Sequence, residues 1–311
     1  MNAAAVAPAP GAGFVRALPL AFVFIWSTGF IVARYGMPHA SPMLFLLTRY
    51  VLSIAVLLFW IWLSRAVWPS SGVQWRHLAV TGVFIHAGYL GGVWSAVKGG
   101  MGAGLVALIV GLQPVLTAMW VSRTAGEHRA TPRQWGGLLL GLLGLVLVVW
   151  HKLHAGEVTA ASFTLALLAL LSITIGTLYQ KRHVASADVR TSSCIQLIAA
   201  FVVTAPLALW EQGAMNWHTE LIGALAWSVL GLTLGGSSLF YLLIQRGAAT
   251  QVTSWLYLVP PSTALMAWFL FDEVLTSFVL LGLTLTAAGV WLVVTDNTKT
   301  TFDVTKKETK T

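Results

Sequence analysis

Long apolar runs alternate with short polar breaks along almost the whole chain. A helix needs about 20 mostly apolar residues to cross the hydrocarbon core of a bilayer. Ten segments meet or approach that length, near residues 17–35, 43–64, 77–97, 103–121, 134–150, 161–179, 192–210, 221–243, 251–271 and 275–294. The pattern predicts an all-α membrane protein of ten transmembrane helices. Pro38, Pro42, Pro69 and Pro132 fall at predicted ends, where a missing amide costs little. Residues 1–16 are read as a disordered cytoplasmic N-terminus. The run that follows is too long for the core of a cleaved signal and lacks a small-residue cleavage pattern, so it is expected to stay as a helix. Residues 296–311, polar and rich in Thr and Lys, are read as a mobile cytoplasmic tail.

The two halves match at a constant spacing of 147 residues. Gly29 pairs with Gly176, Arg34 with Lys181, Arg49 with Gln196, Gly88 with Gly235, Trp94 with Tyr241, Gly100 with Gly247 and Pro114 with Pro261. One residue of slippage then brings Glu127 onto Glu273 and Gly136 onto Gly282. A five-helix unit is odd-numbered, so its second copy must enter the bilayer from the other side. The expected architecture is therefore two inverted five-helix repeats, residues 17–150 and 157–295, around a central cavity.

Apolar residues make up 57% of the chain and charged ones only 9%, against about 25% in a soluble domain. So few charges do not cover a water-exposed surface, whereas lipid solvates apolar side chains directly. The net charge of +8 is therefore ascribed to orientation and not to nucleic acid, because basic residues gather in cytoplasmic loops. With the N-terminus inside, the inner segments carry Arg16, Arg65, Arg76, Arg123, Arg129, Arg133, Lys181, Arg182, Arg190, Arg246 and the lysines of the tail. The outer loops carry only Arg34, Lys98 and Lys152. The expected location is a bacterial-type inner membrane, crossed several times, with both termini cytoplasmic. Cys194 is the only cysteine; no internal disulfide can form, and it is read as a small packing residue.

An ordered series of residues runs through both halves. The first half has Trp26-Ser27-Thr28-Gly29-Phe30, Arg34, Phe45, Arg49, Trp94-Ser95-Ala96, Gly99-Gly100, Pro114, Gly126-Glu127, Gly136-Gly137, Gly141 and Gly144. The second continues with Tyr241 through Gly247, Pro261, Asp272-Glu273, Gly282 and Gly289. Over residues 17–295 this resembles the EamA-type drug/metabolite transporter superfamily. The resemblance implies a ten-helix transporter with a cavity between its repeats, usually an exporter of amino acids or other metabolites. Some aromatic amino-acid exporters of the superfamily carry bulky aromatics before the proline of the fourth helix. The Gly111-Leu112-Gln113-Pro114 run departs from that, which argues against a substrate range restricted to aromatics.

Candidate substrate-binding residues are Trp26, Thr28, His86, Tyr89, Trp94, Gln113, Ser237, Tyr241, Trp255 and Tyr257. His86 stands in the middle of the third span, with Tyr89 and Val93 on the same helical face. Gln113-Pro114 and Pro260-Pro261 occupy matching places in the fourth and ninth helices. A proline frees a backbone carbonyl one turn back; such a carbonyl faces protein or water instead of lipid and can hold an ammonium group. Arg49 is given a structural role, pairing with a helix C-terminus or snorkelling outward. No Asp or Glu lies deep in a predicted span, which argues against a carboxylate relay for protons. No cofactor and no metal site are expected: His151 and His154 lie at a span end with only Glu157 nearby. No nucleophile has a base at usable spacing, so the chain is not read as an enzyme. A membrane-embedded enzyme and a channel are the alternatives, and the five-plus-five repeat favours a carrier over both. The expected function is export of small metabolites, above all aromatic or hydrophobic amino acids, by alternating access; export of other metabolites or drugs is the alternative. The expected partners are that solute and the lipid bilayer, with no nucleic acid and the oligomeric state undetermined by sequence.

Overall fold

A computed structural model describes residues 12–124, 131–154, 158–184, 187–236, 239 and 258–308. Among the described residues there are helices and no strand; one isolated antiparallel bridge joins Ala40 to Met215. Helix α1 spans Ala12–Gly36, α2 Pro42–Ser64 and α3 Gly72–Gly82. A π-helical stretch, Val83–Gly88, leads without a break into α4, Tyr89–Lys98. Then follow α5 (Ala103–Val110), α6 (Gln113–Thr124), α7 (Pro132–His154), α8 (Ala160–His183) and α9 (Val189–Glu211). Helix α10, Thr219–Trp227, runs into a second π-helical stretch, Ser228–Gly236. Helices α11 (Val259–Phe271) and α12 (Ser277–Glu308) complete the described chain.

Both ends depart from the sequence expectation. Helix α1 already begins at Ala12, inside the segment read as disordered, and α12 continues to Glu308, through most of the segment read as a mobile tail. Lys is a good helix former and Thr a weaker but tolerated one, and an established apolar helix propagates into them more cheaply than a new one nucleates.

Among the described residues six helices are long and apolar enough to cross a membrane, and shorter apolar helices lie at Leu20–Gly36, Ala103–Thr117, Val259–Phe271 and Ser277–Leu292. Large apolar side chains point outward: Trp62, Leu209, Trp210 and Phe269 are 74–84% exposed. In water such a surface would drive aggregation; in lipid it is solvated. Polar side chains turn inward instead. Ser27, Ser53, Thr81, Thr191 and Thr263 are fully buried.

Helices at matching places in the two halves lie against each other, and they run antiparallel. The Thr191 hydroxyl at the start of α9 donates to the Val67 carbonyl just beyond α2 (3.1 Å), while the Met43 amide at the start of α2 donates to the Glu211 carboxylate at the end of α9 (3.0 Å). Thr286 of α12 donates to the Gly141 carbonyl of α7 (3.4 Å), and Gly144 abuts Gly282 while Gly289 abuts Gly141. At α5 and α11 the Ala103 amide donates to Glu273 (2.9 Å), and Gly111 abuts Pro260 at the other end. Local detail repeats as well. α2 and α9 each end on a non-glycine residue in the left-handed region, Arg65 (φ 49°) and Gln212 (φ 46°), and these stand 147 positions apart. The two π stretches also fall at matching positions.

Helix α9 starts from Asp188, whose carboxylate accepts from the Arg190 amide and from its Nε, both at 2.9 Å. The Arg190 side chain beside it holds the Asp188 carboxyl below the usual carboxylate range. A depressed folded-state pKa contributes stability that is present above the ordinary value and lost as pH falls through the folded one. Asp188→Ala is expected to lower stability by about 1 kcal/mol at neutral pH, and the difference from the parent should shrink on acidification in a thermal melt.

Candidate functional site

The third span is interrupted by the π-helical stretch Val83–Gly88. A π-helical turn carries one extra residue, which widens the helix and marks functional positions. Around Val83–Gly88 its carbonyls are taken up by side chains from other helices. The Tyr50 hydroxyl of α2 donates to the His86 carbonyl (2.8 Å), and the Ser172 hydroxyl of α8 donates to the Phe84 carbonyl (2.8 Å). Small residues permit this approach: Gly82 lies against the Gln196 backbone of α9, Gly88 against Ser172, and Gly176 of α8 against Phe84 and Ile85. None of the residues in the stretch is fully buried, although it sits mid-span and is flanked by α2, α8 and α9.

The His86 imidazole is half-buried and lies beside the Gln196 side chain. Beside it is the Arg49 guanidinium, close enough for its charge to act on His86, Tyr50 and Tyr89. Arg49 is only 7% exposed, and its Nε has no hydrogen-bond partner. Among the described residues it has no ion pair either. The sequence holds ten acidic residues, and the eight that are described stand at helix ends, in loops or in the terminal helix. The reading of Arg49 as a snorkelling residue is therefore corrected, since the side chain is buried, and among the described residues no helix-terminal carbonyl accepts from its Nε. A cation desolvated in this way is costly until an anion meets it. The site offers a fixed positive charge, phenol and carboxamide groups, and an imidazole.

Of the sequence-predicted residues, the structure brings His86 and Tyr89 together with Arg49. Gln113 opens α6 after the chain turns at Gly111–Leu112, and its Nε2 donates to the Thr177 hydroxyl of α8 (3.1 Å). The break expected at Pro114 is thus present. Thr28 accepts from the Trp227 indole (2.8 Å) and donates to the Ile25 carbonyl, so its hydroxyl ties α1 to α10. Trp26 is half-buried against Phe22. Trp94 is 1% exposed and stacked on Phe45 at 4.3 Å, a packing position within the core. Ser237, Tyr241, Trp255 and Tyr257 lie outside the described residues. His151 stacks on Phe278 of α12 (4.8 Å). Arg49, Gln196, Tyr50 and Ser172 were absent from the sequence set. The one signal for Gln196 was its register, as the repeat partner of Arg49.

A helical bundle that turns apolar side chains outward and gathers a cation, an imidazole and phenols at mid-span has the build of a membrane transporter. The chain belongs to the EamA-like transporter family, whose model matches it twice, over residues 16–150 and 161–295. It is similar to an uncharacterized transporter of Archaeoglobus fulgidus, 25% identical over 87% of this chain and 93% of that one. It is also similar to a protein of Salmonella typhimurium named "Probable amino-acid metabolite efflux pump", 25% identical over 88% and 93%. The uncharacterized transporter YvbV of Bacillus subtilis is 26% identical over 91% and 92%. A solved crystal structure shares the fold, with a TM-score of 0.62 over 91% of this chain and 96% of that one at 16% identity.

Proposed function

We propose that this protein exports small carboxylated metabolites, aromatic or hydrophobic amino acids foremost, across a bacterial-type inner membrane. Arg49 carries the reading. Among the described residues it is a buried guanidinium without a counter-ion, and a substrate carboxylate supplies one through paired charge-assisted hydrogen bonds. Gln196 and the Tyr50 hydroxyl oxygen, which still has a free lone pair, stand nearby for an ammonium group. Trp26 and Tyr89, with Tyr241, Trp255 and Tyr257, supply aromatic surface for the substrate side chain. Two relatives, of Salmonella typhimurium and Escherichia coli, bear the efflux-pump name, which supports the direction and the solute class.

The transport cycle we infer is alternating access between two inverted five-helix halves, residues 17–150 and 157–295, with ten transmembrane helices and both termini in the cytoplasm. The antiparallel contacts between matching helices, the twin left-handed caps 147 residues apart and the twin π stretches support it. Such repeats rock about a site near the midplane. Proteoliposomes loaded with a labelled amino-acid panel test the reading. The expected result is saturable flux of at least one aromatic or aliphatic amino acid, competed by its carboxylate analogues but not by the corresponding amines. Absence of flux for every carboxylated compound refutes it.

A further inference from the structure

A second cluster lies at the other end of the bundle from the α2–α3 loop, where the chain after α1 meets the chain after α9. Two backbone bonds pin these segments together: the Ser41 amide donates to the Ala214 carbonyl (3.3 Å) and the Asn216 amide to the His39 carbonyl (2.8 Å). On this platform the His39 and His218 rings stack at 4.5 Å with an 11° interplanar angle. The His39 Nε2 lies 2.7 Å from the Glu220 carboxylate, and the His218 Nδ1 lies 3.9 Å from the same oxygen. One ligand atom from each of the three residues falls within 4.8 Å of the others. The neighbouring charges are engaged elsewhere. The Lys98 ammonium donates to the Met37 carbonyl (2.7 Å), and Glu211 accepts from the Met43 amide (3.0 Å).

We propose that His39, His218 and Glu220 form a binding site for a divalent transition-metal ion, best suited to Zn²⁺, that braces the two halves against each other. Two imidazoles and one carboxylate are a donor set that zinc takes readily, with a fourth position left for water. Zinc bonds of 2.0–2.2 Å in tetrahedral geometry place ligand atoms roughly 3.3 Å apart. The present spacings bracket that value; His218 and Glu220 are exposed and His39 half-buried, and the side-chain rotation that closes the site releases the His218 Nδ1 from the Glu220 amide, now 3.4 Å away. Imidazole donors disfavour Mg²⁺ and Ca²⁺, which take oxygen ligands. Because His39 comes from the first half and the other two ligands from the second, an ion held here opposes separation of the loops. The proposal is independent of which solute the protein carries.

Tag-free, chelator-stripped protein in nanodiscs, titrated with Zn²⁺ against a competing zinc dye, tests this. The expected result is one tight equivalent per chain, accompanied by a rise in melting temperature. His39→Asn, His218→Asn and Glu220→Gln should each weaken that equivalent roughly tenfold or more and remove the thermal shift. A His77→Asn/His183→Asn variant, at the other paired imidazoles, should keep both. Zinc binding no tighter in the parent than in the triple variant, or equal displacement by Mg²⁺, overturns the site and leaves an ion-paired clasp only. Because both readouts are made without substrate, a failed transport assay does not affect them.

Discussion

Arg49→Met is expected to abolish saturable flux of carboxylated substrates and at the same time to raise the melting temperature of the substrate-free protein. Both effects follow from one cation. In the folded protein the guanidinium is buried with no hydrogen bond at Nε and no carboxylate among its described neighbours. Desolvating an ion costs several kcal/mol when nothing compensates it. Methionine fills similar space with an unbranched, adaptable chain, so its introduction should stabilise the fold by on the order of 1 kcal/mol or more. Substrate binding moves in the opposite direction. Losing one partner of a buried charge pair costs about 2–5 kcal/mol, which is roughly 30-fold to several thousand-fold in affinity. Arg49→Lys keeps the charge but loses the planar fork, and should fall between the two. Flux in proteoliposomes and intrinsic tryptophan melting check the pair of effects together. A variant that melts earlier and also transports less would mean that Arg49 only holds the bundle together.

The parts of this molecule that lipid dictates were legible from the chain. Apolar runs and proline positions locate the helices because a bilayer permits little else. Pro42 and Pro132 begin α2 and α7, where the prolines were expected to fall at ends. The 147-residue register went further, since it paired Arg49 with Gln196, and these two now flank His86 from α2 and α9. What register could not supply was the physical state of Arg49. Its burial depends on where α2, α9 and the π stretch converge, and a π-helical turn leaves no mark in an apolar sequence. The same limit explains Trp94 and Thr28. Both have the right chemistry for a solute path, but Phe45 covers one and the Trp227 indole occupies the other. The His39–His218–Glu220 cluster was hidden for a different reason. His39 follows α1 while His218 and Glu220 open α10, 181 residues away at the Glu220 end, and ligand spacing along a chain only reveals sites built within one segment.

The tightest constraint in the core predicts that Gly82→Val disassembles the site. A Cβ at Gly82 would stand 2.5 Å from the Gln196 Cα and closer still to its carbonyl oxygen. Both are backbone atoms, so no side-chain rotation relieves the collision, and α3 and α9 must part. Forcing extra carbon into a packed interior costs about 1–3 kcal/mol, occasionally more. The upper end is expected here because the obstruction is a helix and not a flexible tip. Close approach through small residues is also what holds membrane helices together. The damage is functional as well as structural: Gly82 immediately precedes the π stretch, and moving α9 carries Gln196 away from His86. Gly82→Ala meets the same atoms and should be only milder. Gly223→Ala, with nothing within 4 Å of its Cβ, is the matched control; it should leave flux unchanged and stabilise α10 by up to about 1 kcal/mol. Yield of monodisperse protein on size exclusion and the melting temperature separate the variants. If Gly82→Val folds and melts like the control, α3 and α9 do not meet at Gln196, and the arrangement of Arg49, His86 and Gln196 falls with that contact.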